Sequence, residues 1–407
     1  MTSAVQDIAR SASEYSRVAA ATAGTATTTM SDGLPKLTEI AVTLIGIALV
    51  VCAVTFDGRW LDAHFLPSFF VSRSTYVLVE SLARIVTAAI GVAAALFLRR
   101  RIGNFVARAH GPTLLAPTVR VAFAVVLACG TSEAILRQTY HRAAEEVPAW
   151  EEPLRHSDRR LGWVFVPART GIGTVAGRVV EYAFDPAGYR VRHADQPVDP
   201  ERPTVVFTGE SVMVGEALTW EESVPGQVEA LMNTQSANLA VSGFATDQAY
   251  LRLLEELPRF RQPRAVVSLF TPALFDRNLN SDRPHLDPGL VWLPPEPRWR
   301  LAALADLLLP YRSQETIERG IAVTRAVLRS TIDLARMRGA VPLIVVPQFM
   351  PEEPTERLLR RRILDEDGIP YLLVELDSSW RVPRDWHPDS RAAHAMAAAI
   401  ATRLHER

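Results

Sequence analysis

The chain has 407 residues, 48% hydrophobic and 22% charged, with a formal net charge of −1. At roughly 100–200 residues per domain it holds two or three structural units, and its apolar share excludes a wholly disordered polymer. Near-balanced charge gives no long-range field for phosphate backbones, so nucleic acid is not expected as a partner. Arginine supplies the positive charge except at Lys36, and the two cysteines, Cys52 and Cys129, lie inside apolar runs, too few for a disulfide framework or a thiolate metal site.

Residues 1–36, rich in Ala, Ser and Thr, lack a cleavage-site pattern and read as a mobile cytoplasmic tail. Residues 37–137 read as a transmembrane region of about three helices. The run at 37–56 carries one charge, Glu39, and has the roughly 20 residues that cross a hydrocarbon core. The run at 77–98 contains Glu80 and Arg84, four apart on one helical face and able to pair. The run at 115–136 has its apolar centre at Val121 to Thr131, between Arg120 and Glu133. Arg99, Arg100, Arg101 and Arg108 outweigh Arg59 and Arg73 in the two intervening loops, which places the second loop in the cytoplasm and everything after the third span outside it, in the periplasm or beyond.

After a polar connector at 138–160, the pattern changes. Thr204 to Thr208, Asn238 to Ser242, Ala265 to Phe270, Val341 to Val346 and Tyr371 to Leu376 are continuous apolar runs, which suit parallel strands buried on both faces. Helical spacing occupies Val224 to Met232, Thr246 to Leu257, Gln314 to Arg338, Thr355 to Glu366 and Ser390 to Leu404. This alternation predicts an α/β fold with a doubly wound, mostly parallel five-stranded sheet over 161–407, with chemistry in the loops at the strands' C-terminal ends. Gly171, Gly173 and Gly177 read as a flexible β-turn region, and the proline-rich stretch Asp282 to Trp299 as a lid or surface loop.

The loop after the first strand reads Gly209-Glu210-Ser211, which exposes a serine at a strand-to-helix turn. A serine needs a base, and Asp385-Trp386-His387-Pro388, after the last strand, places a histidine at the same sheet edge with a carboxylate two residues before it. In order and spacing these motifs resemble the SGNH or GDSL hydrolase family of serine esterases, with Leu161-Gly162-Trp163, the Asp185 to Arg190 segment and Ser242-Gly243-Phe244 as further matching stretches. The resemblance implies an SGNH/flavodoxin-like fold, Ser211 as nucleophile, the N–H groups of Ser211 and Gly243 as oxyanion donors, His387 as general base and Asp385 as its orienter. Two departures accompany it. Glu210 replaces the family's Asp, and Leu274 stands where the third block carries an oxyanion-donating Asn; Asn278 is the nearest substitute. The expected activity is that of a membrane-anchored, extracytoplasmic esterase acting on an O-acyl ester of an envelope glycan or lipid. The alternatives are an acyltransferase with the same site, or a catalytically weakened glycan-binding or envelope-assembly protein. No metal and no cofactor is expected; His387 and His394 lack a third ligand.

Overall fold

A computed structural model of the protein describes residues 36–57, 60, 65–67, 73–108, 115–139, 155–175, 177–296, 299–302 and 311–406. The chain divides into two compact units, one made chiefly of residues up to 136 and the other of 137–303 with 312–407.

In the first unit, the helix Lys36–Thr55 and the helical stretch Val77–Phe105 are long and apolar enough to cross a bilayer. They pack closely at Gly46 and Gly91: a Cβ added to Gly46 would lie 2.6 Å from Gly91 O. Arg84 Nε donates to Ala53 O across this contact (2.8 Å) while its Nη1 sits 3.5 Å from Glu80 Oε1, so the charges expected to pair do so. A π-helical turn, Ala94–Leu98, interrupts the second helix, and the arginines at 99–101 continue as helix, Arg99–Arg108, where the sequence suggested a loop. A third helix, Leu115–Thr139, covers the third apolar run.

The second unit is built on an eight-stranded sheet. Five parallel strands form its centre and one edge, the second shifted from the expected Asn238 to Ser242: β6 (Pro203–Thr208), β7 (Gln235–Asn238), β8 (Gln262–Leu269), β9 (Val341–Met350) and β10 (Tyr371–Asp377). The five-stranded expectation is corrected by three more strands, β3 (Thr170–Val175), β4 (Arg178–Phe184) and β5 (Arg190–Val191), which add antiparallel to β7. The order is β10-β9-β8-β6-β7-β5-β4-β3. The glycines expected to mark a loose turn thus lie in or beside the β3–β4 hairpin. A small antiparallel pair, β1 (Arg155–Asp158) and β2 (Gly162–Phe165), precedes the sheet, its first strand at the end of the expected connector. The proline-rich stretch contains a short antiparallel pair, His285–Leu286 with Trp292–Leu293.

Side-chain alternation along β6 and β8 builds two cores. Val205, Phe207 and Val267 join Val224 and Val228 of α2 (Val224–Met232) and Met396 and Ile400 of α7 (Ser390–His405). Val206 and Val266 point the other way, to Leu253 and Leu257 at the end of α3 (Thr246–Glu256) and Leu334 and Ala335 of α5 (Gln314–Met337). Each fully buried side chain of this size contributes about 1.5–3 kcal/mol. Side-chain caps set several starts: Ser223 accepts from Gly226 N, Ser313 from Thr316 N, and Asp389 from Arg391 N and Ala392 N. Because β7 and β8 flank β6 on opposite sides, the chain reverses its winding there, and the C-terminal end of β6 opens the crevice where α/β sheets bind ligands.

Candidate active site

Ser211 opens a four-residue helix, α1 (Ser211–Val214), directly after β6. The turn depends on Gly209, whose φ is +151° and where a Cβ would stand 3.1 Å from Leu269 Cβ. Glu210, fully buried, caps this helix by accepting from Val212 N at 3.1 Å, and its other oxygen faces Ser211 Oγ. Arg277 lies 3.2 Å from the same Glu210 oxygen and compensates the buried charge.

His387 arrives from the loop after β10. That loop is tied down by Val382 N to His387 O (2.9 Å), Asp385 N to Val382 O (2.9 Å) and a bridge between Arg381 and Pro388. The imidazole is buried, with the Trp386 indole stacked on it at 3.9 Å between ring centroids. Its Nε2 lies 2.9 Å from Ser211 Oγ and its Nδ1 2.5 Å from Asp385 Oδ1, the same oxygen that accepts from His387 N at 2.8 Å. Partial burial works against ionisation of Asp385, but these donors prevail and hold its carboxyl below the usual carboxylate range. A hydroxyl bonded to an imidazole whose far nitrogen faces a carboxylate can be deprotonated as it attacks. Ser211, His387 and Asp385, separated by most of the domain's sequence, therefore form one hydrogen-bonded chain. A second carboxylate, Glu216, stands 3.8 Å from His387 Nε2 and accepts from Ser242 Oγ at 2.9 Å.

Gly243 follows β7 with φ +82°, a conformation that L side chains avoid. The third-block position is different. Leu274 is buried in α4 (Pro272–Asn278), and Asn278 is committed elsewhere, its Oδ1 accepting from Thr246 N (3.0 Å) and its Nδ2 donating to Thr324 Oγ1 (2.8 Å). Asn278 therefore caps α3, and the side chain that α4 sends toward Glu210 and Ser211 is Arg277.

Sequence reasoning passed over several supports of the site. Arg190, wholly buried, donates to the carbonyls of Val214, Gly215 and Leu218 (2.5, 2.7 and 2.6 Å) and so fixes the chain leaving α1; burial pushes its guanidinium down to about 10. Beside Val212 and the His387 loop lies a cavity of about 480 Å³, walled by Phe349, Met350, Arg381, Trp386 and Pro388. The Arg381 guanidinium covers the Phe349 ring at 3.7 Å and donates to Trp386 O, tying cavity wall to the His387 loop. The only sequence signal for these groups was arginine amid apolar neighbours.

No protein-family model matches the sequence, and no curated protein matches it. Among solved structures, it is similar to a lipolytic protein of the G-D-S-L family from Desulfitobacterium hafniense DCB-2, at 13% identity over 49% of this chain and 98% of that one, TM-score 0.31. It is also similar to a family two carbohydrate esterase from Clostridium thermocellum in complex with cellohexaose (11% identity, 54% and 67% covered, TM-score 0.34). A family two carbohydrate esterase from Cellvibrio japonicus matches at 14% identity, with 52% and 62% covered and TM-score 0.31.

Proposed function

We propose that the protein is a membrane-anchored serine esterase of the SGNH type, with its catalytic unit outside the cytoplasm, acting on an O-acyl ester of an envelope glycan or lipid. The observation that carries this reading is the approach of Ser211 Oγ to His387 Nε2 at 2.9 Å with Asp385 2.5 Å behind the ring. Ser211 Oγ attacks the acyl carbon while His387 Nε2 takes its proton, and the N–H groups of Ser211 and Gly243 receive the developing oxyanion. Collapse of the tetrahedral intermediate breaks the bond to the alcohol, which leaves with the proton from His387. Water then adds to the acyl-enzyme with His387 as base, releasing the carboxylic acid and restoring Ser211. Asp385 stabilises the imidazolium at each stage. The cavity beside Val212 and Trp386, about 480 Å³, leaves room for a substrate larger than a simple acetate.

Two helices long and apolar enough to cross a bilayer, the arginines at the end of the second, and the apolar helix Leu115–Thr139 as a third crossing support an anchored, outward-facing unit. The test uses the full chain in detergent micelles with p-nitrophenyl acetate. Turnover that vanishes in Ser211→Ala supports the assignment, and turnover unaffected by that change removes it. Protease added to intact spheroplasts is expected to cut the catalytic unit; protection there contradicts the orientation.

A further inference from the structure

Three consecutive carbonyls after β7 are each held by a cation or an indole. Ser242 O accepts from Trp163 Nε1 at 2.9 Å and from Arg155 Nη1 at 3.3 Å. Gly243 O accepts from Arg283 Nη1 at 2.7 Å, and Phe244 O from Arg277 Nη1 at 3.0 Å. Trp163, 1% exposed, stands at the centre: the guanidinium carbons of Arg155 and Arg283 lie 5.7 and 5.5 Å from its ring, and its Cζ2 would be 3.2 Å from a Cβ on Gly243. Four side-chain donors thus converge on one turn.

The peptide joining Ser242 and Gly243 is trans, so its N–H points opposite to its C=O. Fixing Ser242 O against Trp163 and Arg155 therefore fixes the direction of Gly243 N–H away from that wall. Donors on a carbonyl also polarise the peptide and strengthen its N–H as a donor. The same Ser242 reaches Glu216, which lies 3.8 Å from His387 Nε2, so Glu216 links this turn to the imidazole.

We propose that Trp163 and Arg155, with Arg283 and Arg277 on the next two carbonyls, form a clamp that aims and polarises Gly243 N–H as the oxyanion donor, offsetting the Asn that Leu274 replaces. Trp163 and Arg155 are positioning residues, acting through a peptide they do not share with substrate. This inference rests on the esterase reading above and names how that site works with fewer donors than its relatives by motif.

The experiment uses the full chain in detergent micelles and compares Trp163→Phe, which keeps a ring and deletes the N–H, with Arg155→Met and Arg155→Lys. Three quantities are read: kcat and KM for p-nitrophenyl acetate, and the inhibition constant of an alkyl trifluoromethyl ketone, whose adduct with Ser211 carries the oxyanion. Deleting an oxyanion donor costs about 10²–10³ in rate, and misaiming one is expected to lower kcat by about 10–100-fold. KM should stay within about twofold, the ketone should weaken by the same factor as kcat, and Arg155→Lys should recover most of the loss. Unchanged kcat in Arg155→Met, a loss carried by KM alone, or ketone affinity that does not follow kcat overturns the clamp. Arg155 is only half-buried, so its variants decide the matter even where Trp163→Phe fails to fold. Absence of Ser211-dependent turnover in the parent protein removes both readings, whereas turnover present and insensitive to these changes removes the clamp alone.

Discussion

Replacing Asp385 by Asn separates two roles that a carboxylate behind a histidine can play. Both donors from His387, the backbone N–H at 2.8 Å and the ring Nδ1 at 2.5 Å, converge on Oδ1. An Asn with its carbonyl oxygen at that point keeps both hydrogen bonds and hence the tautomer that leaves Nε2 free to accept from Ser211. Only the charge is lost. Opposite charges with centres about 4 Å apart interact by about 4 kcal/mol at an effective dielectric near 20. The Asp385 side chain keeps 19% exposure, so solvent screening leaves about 2–3 kcal/mol of imidazolium stabilisation. This corresponds to a roughly 30- to 150-fold fall in kcat, well short of the ~10⁴-fold loss that an inverted tautomer produces in a serine protease. Steady-state hydrolysis of p-nitrophenyl acetate, paired with a thermal melt to show the fold intact, measures it. A loss below about threefold refutes the electrostatic role, and a ~10⁴-fold loss refutes the shared-oxygen geometry.

Gly243→Ala forces a Cβ onto a residue at φ +82° and to within 3.2 Å of Trp163 Cζ2; about 1–2 kcal/mol of backbone strain is expected as a lowered Tm, together with at least a tenfold drop in kcat, and a variant unchanged in both contradicts this turn. Arg277→Met strands the fully buried Glu210 carboxylate without its cation and should cost about 3–5 kcal/mol in denaturant unfolding, most of it recovered in the double variant with Glu210→Gln; equal destabilisation of single and double variants argues against the pair. Asp276 is buried, with Oδ1 lacking a hydrogen-bond partner among the described residues, and burial raises its pKa above 3.8 despite Arg312, Arg283 and Arg277. Its contribution to stability is complete below the unfolded value and is lost as pH rises through the folded one. Asp276→Asn should therefore raise Tm at pH 7–8, with the advantage shrinking toward pH 4; an advantage that grows on acidification would reverse the assignment.

The central sheet was readable because strands buried on both faces leave uninterrupted runs such as Thr204 to Thr208 and Ala265 to Phe270. Strands β3 and β4 were not, because β3 exposes only alternate residues, and Gly171 and Gly173 hide the alternation that would otherwise mark a strand. Register was also misjudged at the second run: β7 ends at Asn238, and the residues that looked like strand, Leu239 to Ser242, instead lead into the Gly243 turn, with Leu239 N still bonded to Phe207 O. At the site, Ser211, Asp385 and His387 announced themselves by motif, and the structure brings them together. Arg155, Arg190, Arg277 and Arg283 did not, since an arginine carries the same sequence signal on a solvated helix face as against a buried carbonyl. Asn278 shows the converse: a plausible oxyanion donor by type, it is consumed by Thr246 N and Thr324 Oγ1.

The most direct measurement treats the full chain in micelles with a fluorophosphonate, which bonds covalently to a serine only when its hydroxyl has been activated, and locates the adduct by peptide mass spectrometry. The adduct is expected on Ser211, with labelling slowed at least a hundredfold in His387→Ala. An adduct on another residue, or Ser211 labelling at an unchanged rate without the imidazole, would contradict the activation of this hydroxyl by His387.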